Sequence, residues 1–206
     1  MSDTNYFKLR LTATTTKLYD YLTNTCLSHG SYLNPIKLGP FIHGWTDNTY
    51  AVGNKNPKAV DESLPEVDDT YNGIKWLVEK SDWIEYDSRI KAPKIQYIEI
   101  VNMNPFQQSG DLSYYEPMTK SDWKGYFLPD DSTDTSFTAA PNGRLYLAPE
   151  DENDGKKLSV LISDKDRNDG IIAAFNIGFT IEVKDKTYSC IIDPLLKVKS
   201  PNIVKS

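Results

Sequence analysis

Residues 6–14 read YFKLRLTAT, and the alternation is strict: Phe7, Leu9 and Leu11 fall on one side, Lys8, Arg10 and Thr12 on the other. A period of two belongs to a strand with one dry face and one wet face, and an α-helix cannot present it to a single core. A lone strand has nothing to bury against, so the remaining sequence has to supply partners.

It supplies several. KIQYIEIVNM (94–103), RLYLAP (144–149), KKLSVLIS (156–163), IIAAFNIGFTIEV (171–183) and KTYSCIIDPLLKV (186–198) carry the β-branched and aromatic density of strands. Gly, Pro, Asn and Asp clusters separate them. DKDRNDG (164–170) has the composition of a hairpin loop, VKDKT forms a turn, and Pro194 ends a strand or marks an edge. TTTKLYDYLTNT (14–25) suits a short helix, with Leu18, Tyr21 and Leu22 on one side. Residues 53–70 read as a long polar surface loop, and 71–90 suit either helix or strand. The expectation is an all-β, mainly antiparallel β-sandwich with at most one or two short helices, residues 1–206 forming a single domain. A closed barrel is the second option. No βαβ rhythm is present.

Several function classes are disfavoured by content. The net charge is −6, and the short tail KVKSPNIVKS is the only basic run, so phosphate neutralisation along a nucleic acid has no footing. The first residues lack a charged segment followed by an unbroken apolar run. No stretch approaches the roughly 18–20 apolar residues of a transmembrane helix. Synthesis in the cytoplasm is expected, with export by a route independent of signal peptides left open. Two histidines, His29 and His43, leave almost no material for a His-based triad or metal site. GxSxG and Walker-type loops are absent. A non-enzymatic protein is the expectation. Cys26 and Cys190 have no CxxC spacing and are read as free thiols, a disulfide between them being the alternative.

One string occurs twice: KSDWIEY at 80–86 and KSDWKGY at 120–126. The flanks do not align, so no long duplication underlies it. Ser-Asp before an aromatic pair suits a turn leading into a strand, with one aromatic turned to the core and the other outward. Aromatic faces beside carboxylates also suit sugars, whose C–H faces stack on rings while their hydroxyls need polar partners. Candidate ligand-binding residues are Trp45, Asp47, Asn48, Asp82, Trp83, Asp122, Trp123 and Tyr126. The 164–170 loop places Asp164, Asp166, Asn168 and Asp169 where they could contribute oxygens to calcium, though Asp169 and Phe175 stand where an EF-hand has Gly and Glu. Both features have plainer readings, as packed tryptophans and as a solvated loop tip.

FNIGFTIEVKDKTYSCIIDPLLKV, with its F-x-I strand, turn, aromatic strand and Asp-Pro before a last apolar strand, resembles the C-terminus of the AidA/PixA inclusion-body proteins of bacteria. The N-terminal FKLRLTAT strand is compatible with it. Ile192 stands where that family has Trp, and the Gly-Tyr pair is missing. The resemblance implies a compact, non-enzymatic β-sandwich. Two readings follow: a lectin-like protein binding carbohydrate, with possible help from calcium, or a self-associating storage or interaction protein whose partner is a protein surface and whose state is a homo-oligomer. Placement of Trp83 and Trp123 separates them, since exposure beside acidic loops favours sugar and burial at a subunit contact favours assembly.

Overall fold

The structure, a computed structural model, describes residues 4–13, 15–26, 28–38, 42–46, 51–52, 66–67, 70–78, 87–91, 93–102, 117–151, 155–163, 171–192 and 195–198. Two sheets carry the fold. The first has strand order β4-β3-β1-β6-β11-β8, formed by Ala51–Val52, Ile42–Thr46, Tyr6–Ala13, Gly73–Leu77, Lys157–Ile162 and Phe127–Pro129. The second has order β2-β13-β12-β7-β10-β9, formed by Ile36–Lys37, Lys186–Ile192, Ile171–Val183, Lys94–Asn102, Leu145–Pro149 and Thr135–Ala139. Strand β14 (Leu195–Val198) takes over from β13 along the first residues of β12, and β5 (Glu66–Val67) pairs with β14.

The alternation read from sequence sets the core. Phe7 and Leu9 of β1, Ile74 and Trp76 of β6, and Leu158 and Val160 of β11 turn inward from the first sheet. Ile98 and Ile100 of β7, Leu145 and Leu147 of β10, and the 175–181 odd positions of β12 answer from the second. Trp76 meets Phe175 with ring centroids 5.4 Å apart, the contact that spans the two layers. A short helix, α1 (Thr15–Asp20), runs into a π turn (Tyr21–Thr25) and buries Leu18, Tyr19 and Leu22 against the same core.

The mainly-β expectation holds, with three refinements. The sheets are mixed: β1 runs parallel to β6, β2 to β13 and β5 to β14. The strands on either side of 164–170 are not paired with each other, β11 lying in the first sheet and β12 in the second, and residues 164–170 themselves lie outside the described residues. The turn expected at VKDKT is present and closes a hairpin between β12 and β13; its Lys184 and Asp185 take φ of 50° and 61°, the left-handed pair that a tight two-residue hairpin turn requires.

The string KSDWKGY is the clearest correction. It forms a helix, α2 (Lys120–Tyr126), and not a turn into a strand. Thr119 is its N-cap: the Asp122 N–H donates to the Thr119 hydroxyl at 3.2 Å, and the Thr119 N–H donates to the Asp122 carboxylate at 2.8 Å. This reciprocal pair satisfies two donors that a helix start otherwise leaves bare. The other copy, 80–86, lies outside the described residues.

Candidate functional site

The outer face of the second sheet gathers the most chemistry. Glu99 of β7 points away from the core yet is only 6% exposed. Its carboxylate accepts from the Arg144 guanidinium at 2.8 Å, from the Asn176 amide at 2.5 Å, and from the Tyr146 hydroxyl. Register explains the meeting, since Glu99 lies opposite Tyr146 on one side and Asn176 on the other. Burial opposes ionisation of Glu99, but the donors from Tyr146, Arg144 and Asn176 outweigh it and hold the carboxyl below its ordinary range. Tyr146 is pushed up to about 12, by burial first and then by the carboxylate it serves.

Aromatic rings continue from this cluster. Tyr97 faces Tyr146 at 6.4 Å and Tyr32 at 5.0 Å, the latter edge-on. Tyr97 lies across Gly178 of the neighbouring strand, where any side chain would fall inside the ring. The register shift between Gly178 and Phe179 accompanies that approach.

Tyr32 belongs to the turn 31–34, which folds over this face. Its ends exchange hydrogen bonds, Ser31 N–H to Asn34 C=O and Asn34 N–H to Ser31 C=O, both 3.1 Å. The flanks are tied to β13 by Ser189 N–H to His29 C=O (2.9 Å) and Leu38 N–H to Ile191 C=O (3.0 Å). The turn is therefore pinned at both ends, and it presents Leu33 at 92% exposure beside Tyr32 at 56%. Both are large hydrophobic residues left exposed by the fold.

A second buried carboxylate sits on the outer face of the first sheet. Asp130 accepts from the Ser159 hydroxyl at 2.5 Å, the Tyr6 hydroxyl at 2.6 Å and the Ser132 N–H at 3.0 Å. Burial works against its ionisation, and these donors more than offset it, keeping its titration low. Lys75 lies 3.8 Å from the Tyr6 ring centroid, and its own pKa is lowered by desolvation. The network clamps the 130–134 turn onto the sheet. Asp130 thus spends its oxygens inside the fold.

The residues singled out in the sequence are not brought together as one described site. Trp123 is fully buried, and its indole N–H donates to Gly143 C=O at 3.0 Å. The Asp122 carboxylate caps α2, and the Thr119 donors hold it below its ordinary titration range. Tyr126 is half-buried against the core. Trp45 lies on β3 opposite Arg10 of β1. Asp47, Asn48, Asp82 and Trp83, together with Asp164, Asp166, Asn168 and Asp169, lie outside the described residues. Among the described residues no three His, Cys, Asp or Glu side chains gather as metal ligands, and no helix is long and apolar enough to cross a membrane. Both cysteines are free thiols.

Sequence reasoning passed over Tyr32 and Leu33. The available signal was two large apolar residues inside HGSYLNP, a stretch whose Gly and Pro mark it as a connection where polar residues are the norm.

No protein-family profile matches the chain. Over 125 residues, 61% of the chain, it is 28% identical to the serine/threonine-protein kinase VHS1 of Saccharomyces cerevisiae. The chain spans a quarter (25%) of the length of that relative. A crystal structure of the inclusion body protein PixA from Burkholderia cenocepacia J2315 is similar at a TM-score of 0.35 and 8% identity, over 97% of this chain and 98% of that one.

Proposed function

We propose that this chain is a non-enzymatic β-sandwich protein that works by surface contact, chiefly with further copies of itself. Leu33 carries the reading. A leucine held at 92% exposure on a turn closed by reciprocal hydrogen bonds gains nothing from the fold that displays it. Burying it in a partner contributes roughly 1.5–3 kcal/mol. Because the turn is already ordered, little conformational entropy opposes that contact. Tyr32, stacked edge-on to Tyr97, extends the contact with a ring that needs no reordering.

The two satisfied carboxylates fit the same reading. Glu99 and Asp130 are held ionised by fixed donors, which makes them anchors for the surface and poor candidates for proton transfer near neutral pH. Phosphoryl transfer does not enter the proposal, because neither histidine begins an H-R-D string and no D-F-G string occurs. The distant likenesses to VHS1 and PixA carry no weight in this reading.

Sedimentation of the wild-type chain and of Leu33→Ser across a concentration series tests the reading. The wild type is expected to associate at concentrations above about 1 μM, a modest affinity for a surface contact. The variant is expected to shift toward smaller species with an unchanged melting temperature. A wild-type chain that stays monomeric across the series would overturn self-association, and equal association of both proteins would remove Leu33 from it.

A further inference from the structure

We infer that the edge of β9 that no described strand covers is a second self-association surface, pairing antiparallel with β9 of another copy about a two-fold axis at Phe137. This rests on the self-association reading above and assigns it a contact separate from Leu33.

The hydrogen-bonding parity of β9 carries the inference. Strand β9 (Thr135–Ala139) ends the second sheet, and its ladder partner is β10. At the two ends of that pairing, Ala140 N–H donates to Arg144 C=O at 2.8 Å and Glu150 N–H donates to Asp134 C=O at 2.8 Å. Bonded pairs alternate along an antiparallel ladder. The even-numbered residues, Ser136 and Thr138, therefore bond to β10 through Ala148 and Tyr146. The odd-numbered residues aim their N–H and C=O groups the other way. Thr135 N–H is taken by Thr133 C=O at 2.5 Å. For the N–H groups of Phe137 and Ala139, no described residue supplies an acceptor.

The strand itself carries none of the residues that usually deter pairing. Its sequence, TSFTA, holds no charged residue and no proline. Natural edges discourage pairing with Lys, Pro or a bulge, and none of these is present within this strand. The pattern is complementary to itself. With Phe137 opposite Phe137 of the other copy, each donates its N–H to the other's C=O. At each end Ala139 N–H then reaches Thr135 C=O, so the pair of strands gains two central bonds and two flanking ones, four in all. The two Phe137 side chains become cross-strand neighbours.

An isologous contact of this kind closes at a dimer. Joined to a separate contact through Leu33, it lets association run on past two copies, which one surface alone does not.

The test uses Leu33→Ser as background, so that only the β9 contact is left, and adds Ala139→Pro or Thr138→Lys. Ala139→Pro deletes an outward N–H and no bond to β10, and proline is tolerated on an edge strand. Thr138 is exposed, and a lysine there is the common guard of natural edges. Leu33→Ser alone is expected to stop at dimers by sedimentation equilibrium. Either added substitution should weaken that dimer at least tenfold, with circular dichroism and melting unchanged. A monomeric Leu33→Ser protein, or a dimer indifferent to both folded double variants, overturns the β9 inference and leaves wild-type association standing. Monomeric wild type overturns both readings. Should Ala139→Pro fold poorly, Thr138→Lys decides the question.

Discussion

Trp123 donates its indole N–H to the carbonyl oxygen of Gly143 at 3.0 Å, which fastens α2 to the turn between β9 and β10. Met118 N–H donates to the same oxygen at 3.0 Å. The turn in question delivers Arg144 to Glu99, so a helix on one side of the molecule helps fix the polar cluster on the outer face of the second sheet.

Trp76 supplies the contrast from which the first prediction follows. It is as fully buried as Trp123, but its Nε1–H has no hydrogen-bond partner among the described residues. Trp→Phe at either position trims the ring and leaves a small void. Only Trp123→Phe also loses a hydrogen bond, about 1 kcal/mol net. Trp123→Phe should therefore be the more destabilising of the two by about that amount in urea unfolding. A Trp76→Phe protein as destabilised as Trp123→Phe would show that the Gly143 bond contributes nothing.

The same helix shows where sequence reasoning reached its limit. The strands were legible because each of them buries one face, which imposes period two on Phe7 and Leu9 or on the 171–183 run. In KSDWKGY a local signal pointed elsewhere. Thr119 and Asp122 stand three apart and form the capping pair, and Trp123 and Tyr126, also three apart, share one side of a helix where a strand would set them on opposite faces. The sheet change across 164–170 was illegible for a different reason: loop composition reports polarity, while the choice of sheet is set by which inward faces fit across the core. Leu33 was missed because exposure is a tertiary property, visible only once the turn is seen to fold over β13.

Gly178 gives a second prediction. A Cβ at this position would overlap the Tyr97 ring. Gly178→Ala should displace that ring, costing roughly 1–3 kcal/mol as overpacking does, and loosen Tyr32 with it. Gly125 is the matched control, because a Cβ there meets nothing within 4 Å. In the helix interior, alanine is favoured over glycine by about 0.5–1 kcal/mol, so Gly125→Ala should be neutral or stabilising. Melting curves of both proteins, together with association of Gly178→Ala, check the pair. A Gly178→Ala protein as stable as wild type would mean that Tyr97 yields without cost.

Acid should expose the two buried carboxylates. Glu99 and Asp130 both titrate below their ordinary range when folded. A group with a depressed folded pKa contributes stability that is complete above its unfolded value and is lost as pH falls through the folded one. Wild-type unfolding free energy should therefore decline from about pH 4 downward, with the slope set by protons taken up on unfolding. Glu99→Gln/Asp130→Asn should be less stable at neutral pH and show a shallower decline. Asp87, lowered to about 2 by its Arg89 partner, remains in both proteins and cancels from the comparison. Parallel slopes for the two proteins would assign the acid sensitivity to other groups.

The thiols should differ sharply in reactivity. Cys190 is buried on the inward face of β13, and burial first, then the neighbouring Cys26, pushes its pKa up to about 12. Its Sγ–H donates to Tyr188 C=O at 3.7 Å. The thiolate is the reactive form, so Cys190 should resist alkylation in the folded protein. Cys26 is half-buried at the end of the π turn, where it retains some solvent contact. Iodoacetamide near pH 8 should add one label to the native chain, at Cys26, and a second only after denaturant. Two native labels at equal rates would show that β13 opens readily at this end. Failure to label even in denaturant without reductant would show that the two sulfurs are bonded in solution, in place of the free thiols described above.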